Sequence, residues 1–242
     1  AGKNTLRIDF DYDLLPFENE LAKRGFTVPD QSFSNYPNTE LAVPSFMNMM
    51  YLDFLSEELG EDSRDFRLPN EMRQNNTVMK IFKANDYHVT TFYGGMGLVP
   101  DVRLTDQQLC NFGTINPDLR KNFVLTYMPF SYFNENLLEI HQHEKLKCFF
   151  DTITNNDFTQ SKPNFIHAHL RLPHEPFIYD ENGELVSQKN QNDKSAYLSQ
   201  LKFSEKKILE IIDVIQLRSS DSVIILMSDH GFRPEINWEN PN

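Results

Sequence analysis

The sequence predicts an α/β fold in which a mainly parallel β-sheet is flanked by helices on both faces. Two short apolar runs, 164–170 and 222–228, are too short for free-standing helices, and the second is rich in β-branched residues. Runs of this kind are typical of strands buried on both faces of a parallel sheet. Amphipathic helical patterns accompany them, and no linker divides the chain, so a single layered domain over residues 1–242 is expected.

The other elements follow from hydrophobic periodicity and from the turn residues between the periodic segments. Further strands are predicted over 26–33 and 87–93. Helices are predicted over seven segments: 14–24, 40–55, 70–84, 104–112, 119–125, 133–153 and 197–217.

Composition narrows the range of partners. The chain has 242 residues and a net charge of −12, which argues against a nucleic-acid or anionic-membrane surface, because counterion release requires a basic face. No apolar stretch approaches the roughly 20 residues that span a bilayer, and the sequence contains no signal peptide. Cys110 and Cys148 have a spacing that predicts neither a disulfide nor a compartment.

Asp229 and His230 directly follow the apolar run 222–228. Ligands gather where parallel strands end at their carboxyl edge. A carboxylate and an imidazole placed there, with Gly231 allowing close backbone approach, form a plausible pair of metal ligands. The alternative interpretation is a polar surface turn.

Thr39 lies at or just before the start of the predicted helix 40–55. Threonine is a good helix N-cap, so a structural role is one interpretation. The functional alternative is a hydroxyl nucleophile at a helix end whose free N–H groups favour an anion. Both roles use the same oxygen atom, so a structure can distinguish them.

Several histidines are weighed in the same way. His174 lies between Pro173 and Pro176 in a loop that follows the run 164–170, and the prolines restrict its backbone. His88 lies within a predicted strand and is assigned a structural role. His141 and His143 fall on different faces of one helix and are poor joint ligands.

Three segments together resemble a known family: SNYPNTELAVPSFMNMMYL, FIHAHLRLPHEPFIYDENG, and YLSQLKFSEKKILEIIDVI with SVIILMSDHGFR. In order and spacing, from about Phe10 onward, they resemble the sulfatase-like hydrolases and transferases of the alkaline phosphatase superfamily. This group includes membrane-anchored phosphoglycerol and phosphoethanolamine transferases. The resemblance implies an alkaline phosphatase-like fold and a soluble domain outside the cytoplasm, periplasmic or at the cell surface, with any membrane anchor outside this chain.

The resemblance also implies the ligands of a catalytic metal. Thr39 would be the nucleophile that attacks phosphorus or sulfur and forms a covalent intermediate. Asp229 and His230 would bind one divalent ion, zinc or manganese, that also contacts the Thr39 oxygen. An acidic ligand found in relatives would come from a strand before residue 1, so residues 1–242 are expected to be incomplete at both ends.

Substrate contacts are implied at three further positions. His174, and His169 five residues earlier, match histidines that contact the substrate's charged oxygens or protonate the leaving group. Arg233 is either a second anion contact or a surface salt-bridge residue.

One sequence motif bears on the substrate. Formylglycine sulfatases require Cys or Ser followed by x-Pro-x-Arg, and the segment 39–43 lacks this motif. The sequence therefore favours a metal-dependent phosphoester hydrolase or head-group transferase. The alternatives are a sulfate ester hydrolase, and a catalytically silent domain that binds a glycan or a lipid head group.

Overall fold

The computed structural model describes residues 2–60, 62–92, 104–110, 131–156, 158, 161–186 and 194–231, with side chains of the helix at 131–155 from residue 142 onward. The chain forms two compact units, one from residues 1–85 and 221–242 and the other from 86–220. The described part of the first unit contains α1 (Lys3–Phe10), α2 (Leu15–Lys23), α3 (Thr39–Asn48), α4 (Phe54–Leu59), α5 (Arg67–Gln74) and α6 (Thr77–Ala84). That of the second contains β1 (His88–Phe92), β2 (Gln107–Leu109), α7 (Ser131–Asn155), β3 (Asn164–Ala168) and α8 (Lys194–Arg218).

Helix α3 is the best anchored helix of the first unit. Its buried face consists of Ala42, Val43, Pro44, Ser45 and Met47. The Asn48 side chain ties its C-terminal end to the neighbouring helices, because Nδ2 donates to Met72 O at 3.0 Å and Oδ1 accepts from Thr77 N at 3.0 Å. These contacts fix the direction of α3 and therefore the place of its first residue.

The second unit is built on a parallel sheet with the strand order β2-β1-β3. The β1–β3 ladder runs from His88 opposite Asn164 to Phe92 opposite Ala168. Helix α7 packs on this sheet, where Phe92 meets Phe149 edge to face with ring centroids 4.8 Å apart. The parallel sheet with flanking helices confirms the predicted α/β class.

The apolar run 222–228 is not the buried interior strand that the sequence predicts. It forms no regular secondary structure and pairs with no strand in the described part of the chain, and Val223 and Ile225 are 88% and 81% exposed. A strand requires a partner edge for its backbone N–H and C=O groups, and the described residues of this unit form helices. Local hydrophobicity predicts that a segment tolerates burial, but it does not predict whether a neighbouring strand is present to pair with it.

Four other predictions also need correction. The strand β3 is an outer strand of the described sheet, since β1 lies between it and β2. The segment 26–33 forms no strand, and the predicted helix 104–112 contains the short strand β2 instead. The predicted helix 70–84 divides into α5 and α6 because Asn76 caps a new helix by accepting from Met79 N. The predicted helix 119–125 lies outside the described residues.

Cys110 and Cys148 form a disulfide with the Cα atoms 5.8 Å apart. It links the residue after β2 to α7, a pairing that the sequence spacing leaves open. Within the described residues, none of the helices combines the length and the hydropathy needed to cross a membrane.

Candidate functional site

Thr39 is the first residue of α3, and the residue before it performs the capping. Asn38 has an extended backbone, and its Oδ1 accepts a hydrogen bond from Leu41 N at 2.9 Å. Asparagine in this position satisfies one of the free N–H groups of the first turn. The Thr39 hydroxyl is therefore not needed for capping and makes contacts elsewhere.

The Thr39 hydroxyl faces Asp229 and His230, the two residues that directly follow the segment 222–228 of the same unit. Oγ1 donates a hydrogen bond to Asp229 Oδ2 at 2.6 Å and lies 3.2 Å from His230 Nε2. The third distance, between Asp229 Oδ2 and His230 Nε2, is 3.6 Å. The structure thus brings Thr39 next to two consecutive residues that lie 190 and 191 positions further along the chain.

Local hydrogen bonds orient both partners of Thr39. His230 Nδ1 lies 2.8 Å from Gly231 O, and because a carbonyl oxygen only accepts, Nδ1 carries the proton in this contact. In the neutral imidazole, Nε2 then presents its lone pair towards Thr39. Asp229 Oδ1 accepts from His230 N at 2.9 Å, which leaves Oδ2 for the hydroxyl.

These contacts place three electron-rich atoms close together. Thr39 donates its hydroxyl hydrogen to Asp229, so the Nε2 lone pair of His230 faces an oxygen that has no second hydrogen of its own to donate. A carboxylate oxygen, an imidazole nitrogen and a hydroxyl oxygen are ligand types that Zn²⁺ and Mn²⁺ accept. The three atoms are 2.6–3.6 Å apart, within the roughly 4 Å that can separate two ligands of one such ion. The residues present therefore fit a divalent cation.

The described part of the chain contains no group of three or more His, Cys, Asp or Glu side chains arranged to hold a metal ion. The set at this site is one carboxylate, one imidazole and one hydroxyl. The acidic ligand that the resemblance implies before residue 1 stays a prediction.

The histidines expected to contact substrate belong to the second unit. His169 lies just beyond the end of β3, and His174 is exposed in the following loop. The loop is held by Gln200 of α8, a side chain with no exposed surface. Gln200 Nε2 donates to His174 O at 3.0 Å, and its Oε1 accepts from Ile178 N at 2.8 Å and from the next amide, of Tyr179, at 3.3 Å.

A third histidine lies within the strand itself. His167 of β3 has a buried Nδ1 with no hydrogen-bond partner among the described residues. Burial, and to a lesser degree the charge of His169, lowers the pKa of His167 to about 4. His167 is therefore neutral at physiological pH.

The remaining histidines and Arg233 complete the comparison with the sequence. His143 forms a hydrogen bond with Tyr179 Oη at 2.7 Å, in line with a structural role. His88 Nε2 is buried without a partner in the described protein. Arg233 lies outside the described residues.

Sequence reasoning missed Asn38 and Gln200. Asn38 carried a detectable signal, because asparagine directly before a helical pattern is a strong capping residue. Gln200 carried a weaker one: it is a polar residue one helical turn from Tyr197 and Ser204, both buried in α8.

Comparison with known proteins assigns the chain to a family. The family model described as Sulfatase matches residues 10–239, nearly the whole chain. No match is found among curated proteins or among solved structures. With its α/β fold and with Thr39 beside Asp229 and His230, the chain belongs to the sulfatase family, whose domain is alkaline phosphatase-like.

Proposed function

We propose that this protein is a metal-dependent phosphoester hydrolase or phospho-head-group transferase in which Thr39 is the nucleophile. The observation that carries the proposal is the contact of Thr39 Oγ1 with Asp229 Oδ2 at 2.6 Å and with His230 Nε2 at 3.2 Å. A threonine that served only as a helix cap would accept a hydrogen bond from the backbone with its hydroxyl. In α3 this task falls to Asn38, whose Oδ1 accepts from Leu41 N.

In the proposed reaction, Thr39 Oγ1 bonds to phosphorus as the bond between phosphorus and the leaving-group oxygen breaks. Asp229 Oδ2 is the nearest acceptor for the hydroxyl hydrogen, and the lone pair of His230 Nε2 faces the same oxygen. A divalent ion, zinc or manganese, held by Asp229, His230 and Thr39 would supply positive charge that favours the ionised hydroxyl and offsets charge on the ester. His174 is proposed to contact the charged oxygens or to return a proton to the leaving group.

The covalent ester on Thr39 is then cleaved by a second oxygen nucleophile. Attack by water releases phosphate and restores the hydroxyl, which makes the protein a hydrolase. Attack by an acceptor hydroxyl transfers the head group, which makes it a transferase. The position of Thr39 at the start of α3, where free N–H groups and the helix dipole favour negative charge, supports either outcome.

The test uses synthetic esters with the same leaving group. The purified chain, loaded with Zn²⁺ or Mn²⁺, is assayed on 4-nitrophenyl phosphate and bis(4-nitrophenyl) phosphate, with and without chelator. Thr39→Ala is expected to lower kcat by at least about a thousandfold, as removal of a catalytic nucleophile does elsewhere, while Thr39→Ser retains measurable activity. Full activity of Thr39→Ala would eliminate the nucleophile assignment.

Sulfate ester hydrolysis is a second candidate because the family match itself is to sulfatases. The segment 39–43 lacks the Cys/Ser-x-Pro-x-Arg motif, which weighs against it. Assay of 4-nitrophenyl sulfate beside the phosphate esters decides between the two. A protein that hydrolyses none of them but binds a glycan or a lipid head group would be the catalytically silent alternative.

We also propose an extracytoplasmic location, in the periplasm or at the cell surface, with any membrane anchor outside this chain. The disulfide between Cys110 and Cys148 supports it, because structural disulfides persist in oxidising compartments. Alkylation of free thiols in intact cells, followed by mass spectrometry of both cysteines, tests it. Full alkylation before reduction would contradict this location.

A further inference from the structure

Asn75 lies at the corner between α5 and α6, the two helices into which the predicted helix 70–84 divides. It is the C-terminal cap residue of α5, and it is exposed. Its backbone N–H donates to Glu71 O at 2.8 Å, whereas its side-chain amide makes no hydrogen bond to the described residues. The amide nitrogen of Asn75 is therefore open to solvent.

The next residue, Asn76, has the opposite environment. It is 1% exposed, its Oδ1 accepts from Met79 N at 2.9 Å, and its Nδ2 donates to Arg73 O at 2.9 Å. Asn76 thus uses both ends of its amide to close the corner and to start α6. Of two consecutive asparagines, one has a role in folding, and the contacts of the fold assign none to the side chain of Asn75.

Residues 75–77 read Asn-Asn-Thr, which is the only Asn-x-Ser/Thr triplet with x other than proline in the sequence. This triplet is the acceptor of N-linked glycosylation, a bulky surface modification of exported proteins. A triplet alone arises often by chance, but here its asparagine is exposed and not engaged by the fold. The disulfide between Cys110 and Cys148 independently supports an oxidising compartment outside the cytoplasm.

We propose that Asn75 carries an N-linked glycan. The donor is a phosphate-linked sugar, and a separate transferase catalyses the step. The bond between Asn75 Nδ2 and the anomeric carbon forms, the bond between that carbon and the phosphate oxygen breaks, and the proton lost from Nδ2 ends on the released phosphate. The inference rests on the proposed location outside the cytoplasm and is independent of the chemistry of Thr39.

The contacts of Thr77 indicate when the sugar is attached. In the folded protein Thr77 Oγ1 donates to Asn48 Oδ1 at 3.2 Å, and Thr77 N donates to the same oxygen at 3.0 Å. A transferase that reads the hydroxyl needs these bonds open, so transfer precedes the packing of α6 against α3. The folded protein then has only to accommodate the sugar. The exposed position of Asn75 allows this, whereas the buried position of Asn76 would not.

The test is peptide mapping by mass spectrometry of the full chain, purified from the cells that naturally produce it. Trypsin cleaves after Arg73 and Lys80, so Asn75 falls within the peptide 74–80. This peptide is expected to carry one or more monosaccharide units in most copies and to release sugar fragment ions. The unmodified mass in all copies would overturn the proposal. This measurement uses the wild type and does not depend on the folding of a variant.

Variants expressed in the same cells localise the sugar. Asn75→Gln is expected to lose it, and so is Thr77→Val, which keeps the shape of threonine without the hydroxyl. Thr77→Ser keeps the hydroxyl and is expected to retain the sugar. Asn85→Gln is the matched control, because Asn85 is the exposed C-terminal cap residue of α6 and belongs to no triplet. A sugar that persists in Asn75→Gln, or that is lost equally in Asn85→Gln, would contradict the site.

This proposal and the proposed function fail separately. An intact disulfide together with an unmodified peptide 74–80 would refute the glycan alone. A glycosylated chain that hydrolyses none of the test esters would refute the proposed reaction and leave the glycan. Full alkylation of both cysteines before reduction, together with an unmodified peptide, would refute the location and the glycan but not the reaction.

Discussion

Replacement of Gln200 by leucine tests whether the loop that carries His174 is held by one buried side chain. Gln200 has no exposed surface, and its amide makes three hydrogen bonds to the backbone of residues 174–179. Leucine has a similar volume and no polar atoms. The substitution therefore removes the three bonds while filling most of the same space.

The cost follows from the groups left behind. Ile178 and Tyr179 are 1% and 4% exposed, so water does not readily replace the acceptor for their N–H groups. Each buried donor without a partner costs about 1–3 kcal/mol, which gives about 2–6 kcal/mol for the pair. Burial of the leucine side chain offsets about 2 kcal/mol of this. Since the Tyr179 bond is long at 3.3 Å, we expect a net loss of about 2–3 kcal/mol in the free energy of unfolding.

Urea unfolding followed by circular dichroism measures this loss, and amide hydrogen exchange at residues 178 and 179 localises it. Gln216→Leu, the same change at an exposed position of α8, serves as the matched control and is expected to change stability by about 0.5 kcal/mol or less. Unchanged protection of both amides, or a loss no larger than in the control, would show that the loop is held by other contacts.

Three further predictions concern the anchors of the two units. Asn38→Ala removes the cap on Leu41 N and is expected to cost about 1 kcal/mol of stability, read from urea unfolding; no change would mean that water replaces the cap. Replacement of Cys110 and Cys148 by serine opens a loop with a sequence separation of 38 and is expected to cost about 4 kcal/mol, whereas a reductant should destabilise the wild type but not the variant. His167 has a folded-state pKa of about 4, below the unfolded value of about 6.5, so the unfolded state takes up its proton first as pH falls. The wild type should therefore lose about 2 kcal/mol more than His167→Gln between pH 8 and pH 5, and equal pH dependence of the two would contradict the burial of this ring.

The α/β class was predictable because it depends on local patterns that repeat along the chain. The strands at 88–92 and 164–168 and the long helix α8 lie where periodicity and β-branched residues place them. The segment 222–228 has the same apolar composition as a buried strand, yet it forms no strand and is largely exposed. Composition describes what a segment tolerates, whereas pairing depends on a neighbour that may be far away in sequence.

The division of the predicted helix 70–84 shows that a capping residue can interrupt a continuous hydrophobic pattern. Its apolar periodicity runs through Asn75 and Asn76, but the Asn76 side chain accepts from Met79 N and so starts a new helix. The capping preference of asparagine is strong enough to interrupt a pattern that hydrophobicity alone would continue. A reading that weighs caps before periodicity would have found the break.

The sequence does not decide between a capping and a catalytic role for Thr39, because either the Asn38 or the Thr39 side-chain oxygen could cap α3. Asn38 and Thr39 are both good capping residues and stand side by side, so residue type cannot say which of them caps α3. The choice is made by a contact across 190 positions, since Asp229 Oδ2 lies 2.6 Å from the threonine hydroxyl and not from the asparagine. With the cap supplied by Asn38, the Thr39 oxygen stays at the positive end of the helix, beside a carboxylate and a nitrogen lone pair. That combination has little value for folding, because it places a hydroxyl oxygen, a carboxylate oxygen and a nitrogen lone pair within 3.6 Å of one another in a partly buried position. Its cost is understandable if the site holds a cation and a reacting ester, and the assay of Thr39→Ala with and without chelator tests this directly.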